Sequence, residues 1–204
     1  MKKIMFNDRY GLTQAVIEGR KTMTRRLIPD EFFGLTWDTR GNTLVYENEY
    51  GDFIDVRLSK YTRYKDGEIV SVAQNYFSTY DESKWENGIW YNEFADGSDI
   101  TNHAGWINKM FVKAEYMPHQ IRITGIHCER LQDISDAECL KEGVRVEFAR
   151  NGSPMYYYFD TKRWRAVWFD TPREAFAALI DKVSGRGTWK SNPWVVVYEF
   201  ELVK

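Results

Sequence analysis

Several residue types that mark specialised proteins are scarce in this chain. Two cysteines in 204 residues, Cys128 and Cys139, rule out a scaffold held together by disulfides. The three histidines, His103, His119 and His127, are spread out, and no pair stands at metal-ligand spacing. No apolar run approaches the roughly 18 residues that span a bilayer. The opening Met1-Lys2-Lys3-Ile4-Met5-Phe6 has no apolar core of a signal peptide. These absences point to reduced cysteines, no membrane association and a cytoplasmic location. A net charge of −2 argues against a coat of positive charge for nonspecific DNA binding, though it is compatible with a local basic groove. There is no P-loop and no dinucleotide fingerprint, so neither a metal nor a cofactor is expected.

What is present is ordinary for a globular protein, with 43% hydrophobic and 28% charged residues. The length suits one compact domain over 1–204. Aromatic residues are plentiful at 16%, many of them Tyr and Trp, which suit binding surfaces as well as cores. Residues 3–6 suggest a short strand. Asn7 or Asp8 is placed to cap a helix to about Glu18, with Leu12, Ala15 and Val16 on one face and Gly19 as its stop. Arg40-Gly41-Asn42 predicts a hairpin, and Asp66-Gly67 a turn into a strand over 68–73. Residues 119–131 read as a long strand with a bulge or bend at Gly125, where the apolar parity switches. Capping boxes start two helices, Ser135 to Glu138 and Thr171 to Glu174. The second carries Phe176, Leu179, Ile180 and Val183 as its buried stripe. The closing strand puts Trp194, Val196, Tyr198, Phe200 and Leu202 on one side, with Glu199 and Glu201 on the other. Five or more strands with a few unevenly placed helices give an α+β fold rather than a βαβ pattern: a mixed barrel or curled sheet with short helices packed on it.

The densest chemistry is Gly19-Arg20-Lys21-Thr22-Met23-Thr24-Arg25-Arg26. This segment resembles the G-x-K-T-x-T-x-R signature of the ASCH domain, a relative of the PUA fold. Two further stretches follow in the family's order. Asp66-Gly67-Glu68-Ile69-Val70-Ser71-Val72 is similar to its glycine-acid turn and core strand. Glu129-Arg130-Leu131-Gln132-Asp133-Ile134-Ser135 leads into its short helix. In length the chain looks closest to the larger, phage-associated ASCH-like proteins, with insertions at about 29–64, 75–103 and 145–170. Where those relatives often carry an Arg-Glu pair after the core strand, this chain has Ala73-Gln74. The resemblance implies a PUA-like mixed β-barrel with a cleft, and RNA or a modified nucleoside as ligand. Some small ASCH proteins look like amidohydrolases that deacetylate N4-acetylcytidine; their catalytic lysine, threonine and glutamate match Lys21, Thr24 and Glu142.

In amide hydrolysis Lys21 would be the base, Thr24 the nucleophile and Glu142 the acid–base partner. A free lysine titrates near 10.4, so burial or neighbouring cations must lower it. Arg20, Thr22, Arg25 and Arg26 are candidate ligand contacts, the arginines suiting phosphate. One geometric condition applies. Along a regular strand Lys21 and Thr24 have opposite parity, so they converge only if the segment is a loop, a bulge or one helical turn. The plain alternative is a solvated basic strand. The segment 155–165 interleaves Tyr, Phe and Trp with Lys162, Arg163 and Arg165. That mixture suits single-stranded RNA, or simply a hairpin packing its rings. Three readings follow: an RNA- or nucleoside-binding module, an amidohydrolase, and a phage-derived accessory protein with no small ligand.

Overall fold

Two glycines in left-handed backbone, Gly19 at φ 71° and Gly143 at φ 106°, stand just past the helices that frame the basic motif. In the computed structural model, which describes residues 1–28, 34–59, 62–79 and 99–203, the chain forms two compact units. The first comprises Met1–Phe6, Ile69–Ile121 and Leu202–Lys204; the second comprises Asn7–Glu68 and Arg122–Glu201.

In the first unit β1 (Lys3–Ile4) pairs in parallel with β6 (Ile69–Val72), with Lys3 opposite Ser71. Ala73, Tyr76, Val112 and Met117 form its apolar core, with Met5, Ile100 and Trp106 packed on it. Between these elements run one-turn 3-10 helices, several started by a side-chain cap such as Asp99 or Asn108. At the Ala73-Gln74 position, Gln74 Oε1 lies 2.7 Å from His119 Nδ1. Much of the 75–103 insertion, at 80–98, lies outside the described residues, as do 29–33 of the first insertion.

In the second unit the expected helix from Asn7 to Glu18 is split. Asn7 caps a 3-10 turn over Asp8–Tyr10, Gly11 takes φ 65°, and α1 occupies Leu12–Ile17. Leu12, Ala15 and Val16 are buried as their spacing requires. After the basic motif, β2 (Met23–Leu27) lies beside β11 (Trp194–Leu202), which lies beside β7 (Gln120–Arg130). The hairpin around Asn42 joins β3 (Thr36–Asp38) to β4 (Thr43–Glu47), and β5 (Phe53–Asp55) completes that sheet. A third sheet is ordered β10 (Arg165–Phe169), β9 (Pro154–Asp160), β8 (Arg145–Phe148).

Both capping boxes form. Ser135 starts α2 (Asp136–Lys141), and Thr171 starts α3 (Pro172–Val183) with proline in the first turn. A last turn, α4, covers Thr188–Ser191. Phe176, Leu179 and Ile180 are buried, whereas Val183 at the C-terminal end of α3 is 37% exposed. Leu202, at the end of β11, is likewise 39% exposed. β7 is one unbroken strand, and its buried positions change parity between Ile123 and Cys128. The fold is therefore α+β with several sheets and few helices. No strand order closes on itself among the described residues, so the sheets are open where a barrel was expected.

Candidate functional site

The basic motif folds so that consecutive residues serve different surroundings. Lys21 and Thr22 lie between α1 and β2, where the Thr22 amide donates to Lys141 O and its carbonyl accepts from Phe200 N. Held at both ends, this short connection turns the Lys21 side chain inward until it is 2% exposed. Its Nζ donates to Glu142 Oε2 at 2.6 Å, to Glu142 O at 2.8 Å and to Met23 O at 2.7 Å. Three acceptors match the three donors of an ammonium group. Burial lowers the Lys21 pKa from its usual value. Contact with Glu142 opposes that shift, and the cations of Arg26 and Arg25 add to it.

Glu142 is fixed by the end of α2. It is the C-cap residue, and the next residue, Gly143, has no room for a side chain: a Cβ there would sit 2.8 Å from Leu12 Cδ2 and 3.7 Å from Lys21 Cδ. The positive φ and the close approach both require glycine at this position.

Arg25 completes the centre. Its side chain is fully buried, with Nε on Glu129 Oε1 at 2.7 Å and Nη1 on Glu142 Oε1 at 3.2 Å. Nη1 also lies 3.2 Å from Met23 Sδ. Nη2 is 3.3 Å from Glu138 Oε2 but makes no hydrogen bond there; that oxygen already accepts from Ser135 N and Ser135 Oγ. Burial pushes the Glu138 pKa up, but the two Ser135 hydrogen bonds and the Arg25 charge outweigh it and hold it low. Two cations and three carboxylates thus form one network, buried at Lys21, Arg25 and Glu142 and half-buried at Glu129 and Glu138. Such a network costs desolvation and holds together only when its members are paired.

Strand parity divides the remaining motif residues. Thr24 pairs with Tyr198 and Arg26 with Val196 across β2 and β11, so these share the face of β2 opposite Met23 and Arg25. The Tyr198 hydroxyl accepts from the Arg63 amide, and the Tyr198 ring packs edge-on against Tyr64. Burial pushes both phenols up, with Arg26 pulling the other way. Arg26 is exposed, Thr22 half-buried, and Arg20 exposed and paired with Glu18 at 2.5 Å. The structure thus brings Lys21, Glu142 and Arg25 together and places Thr24 on the other side of the strand. A pocket of about 430 Å³ in this unit is lined by Arg57, Ser59, Thr62, Lys65 and Ile126 among others, and by none of the motif residues.

Sequence reasoning did not find Glu129 and Glu138 as partners of Arg25. Glu138 carried only a capping signal, and Glu129 only its place on a strand. The region 155–165 forms the hairpin of β9 and β10, with Tyr158 packed edge-on against Tyr10 and Asp160 paired with Arg9 at 3.0 Å. No helix among the described residues is long and apolar enough to cross a membrane. Compared with known proteins, the chain matches no family model, no curated protein and no solved structure.

Proposed function

We propose that this chain is an ASCH-type, PUA-like module that binds RNA or a modified nucleoside at the segment 20–26. The observation that carries the reading is the contact of Lys21 with Glu142. The resemblance puts these two residues in one site although 121 positions separate them, and their side chains meet at 2.6 Å. The buried network shapes the segment, while its outward residues Arg20, Thr22 and Arg26 make the ligand contacts. Arg26, exposed beside two tyrosines, suits a phosphate next to a stacked base.

Equilibrium titration with a short single-stranded RNA at several salt concentrations tests this. Arg26→Ala should weaken binding roughly tenfold and lower the salt slope by about 0.7, the share of one phosphate contact. Unchanged affinity and slope in that variant would overturn the placement.

The lowered pKa of Lys21 favours a second reading, deacylation of an N4-acetylcytidine-type nucleoside. It asks for movement: Lys21 and Glu142 are sealed from solvent, and Thr24 faces away from Arg25. Chromatography of N4-acetylcytidine incubated with the protein decides it. Cytidine release that Lys21→Met abolishes supports catalysis, and no release by the wild type leaves the binding reading alone.

A further inference from the structure

The sheet of β8, β9 and β10 has two unlike faces. Tyr156, Tyr158 and Asp160 project from one side of β9. That side is packed, with Tyr158 against Tyr10 and Phe169, and Asp160 against Arg9. Tyr157, itself buried, projects from the other side with its register partner Trp168, their rings 4.4 Å apart. Phe159 follows on that side and meets the Trp164 ring edge-on at 5.4 Å. Trp168 is 41% exposed and Trp164 82% exposed.

Trp164 is also conformationally out of place. It sits at the β9–β10 turn with φ 50°, a left-handed backbone that bulky side chains avoid and that glycine or asparagine fills more readily. A large ring held in solvent on disfavoured backbone serves neither the core nor the turn. Strain of this kind concentrates at binding sites.

The charge is also distinctive. Residues 145–169 carry five cations, Arg145, Arg150, Lys162, Arg163 and Arg165, against two carboxylates, Glu147 and Asp160. That is a local net of +3 in a chain whose total is −2. Asp160 is occupied by Arg9 and Glu147 by the Tyr157 hydroxyl, while Lys162 in the turn pairs with no carboxylate among the described residues; Arg165, opposite Asp160 in register, projects from the packed side.

We infer that this face is a stacking platform for single-stranded nucleic acid, with bases on Trp164 and Trp168 and a phosphate at Lys162 in the turn beside them. It deepens the RNA-binding reading above and rests on it, adding a surface distinct from segment 20–26. Exposed rings give sequence-tolerant stacking, and an adjacent cation holds the backbone. A duplex keeps its bases stacked on each other and cannot use the rings.

Fluorescence anisotropy of a labelled oligouridylate tests the platform, with a cytidine mononucleotide as the ligand too short to need it. Trp164→Asn keeps the turn, because asparagine accepts this backbone, so its melting temperature should stay near that of the wild type. Its affinity for the oligonucleotide should fall about ten- to a hundredfold, the value of one stacked base, with mononucleotide affinity unchanged. Lys162→Ala should lower the salt slope by about 0.7. Equal oligonucleotide binding by Trp164→Asn and wild type overturns the inference, as does a duplex that binds as tightly as the single strand. If instead the oligonucleotide arm behaves as expected while Arg26→Ala leaves mononucleotide binding intact, segment 20–26 is not the site and the platform stands.

Discussion

At the scale of single residues, the buried pair is the most demanding feature. Removing Glu142 leaves Lys21 an uncompensated charge where water cannot reach it, and removing Lys21 leaves the buried Glu142 carboxylate with Arg25 as its one cation. Lys21→Met or Glu142→Leu alone should each cost about 3–5 kcal/mol of stability, read from denaturant unfolding. The double variant should recover most of that loss, because two apolar side chains replace two buried charges. If the double variant is as unstable as the singles added together, the residues do not interact as described. The cysteines make a separate prediction. Both are free and buried, and burial pushes their thiols up to about 12. At pH 8 they should therefore be protonated and should react with a disulfide reagent only once the protein is unfolded. Rapid labelling of the native protein would contradict that environment.

At the scale of elements, α2 does more than close a connection. Its capping box orients Glu138 toward Arg25, and its last carbonyl and side chain hold Lys21. Ser135→Ala removes a cap worth about 1 kcal/mol and leaves Glu138 Oε2 with the backbone amide of residue 135 alone. Gly143→Ala should cost more, roughly 1–3 kcal/mol, since it adds strain at φ 106° and crowds Leu12. A melting temperature unchanged by Gly143→Ala would mean that the α2 end is not packed as described. The elements that were legible in the sequence are those whose ends carry local chemistry: the two capping boxes, the glycine stops and the Asn42 hairpin. What stayed hidden depends on distant partners. Nothing local shows that Arg25 collects three carboxylates from β7 and α2, because that follows from strand parity and from which strand lies alongside. Gly11 broke the first helix through its positive φ, and the apolar stripe of Leu12, Ala15 and Val16 begins only after it. Val183 and Leu202 fit their stripes by spacing, yet each lies beyond the point where its element is covered.

At the scale of the whole molecule, acid should be the sensitive direction. The Glu18, Asp55, Glu138 and Asp160 carboxyls are all held below their usual pKa values by hydrogen bonds and neighbouring arginines. A lowered folded-state pKa means the native state binds fewer protons than the unfolded chain. The resulting stability is fully present above the unfolded values near 4 and is lost as pH falls through the folded ones. Unfolding midpoints should therefore be flat with respect to these groups between pH 6 and 8 and drop below about pH 4. A midpoint that rises on acidification would contradict those pairings. The central claim, that segment 20–26 receives a nucleoside or RNA, is tested most directly by calorimetric titration of the wild type and Arg26→Ala with the 5′-monophosphate of N4-acetylcytidine. The account predicts saturable binding at one site, weakened about tenfold in the variant; no binding, or identical binding by both proteins, would contradict it.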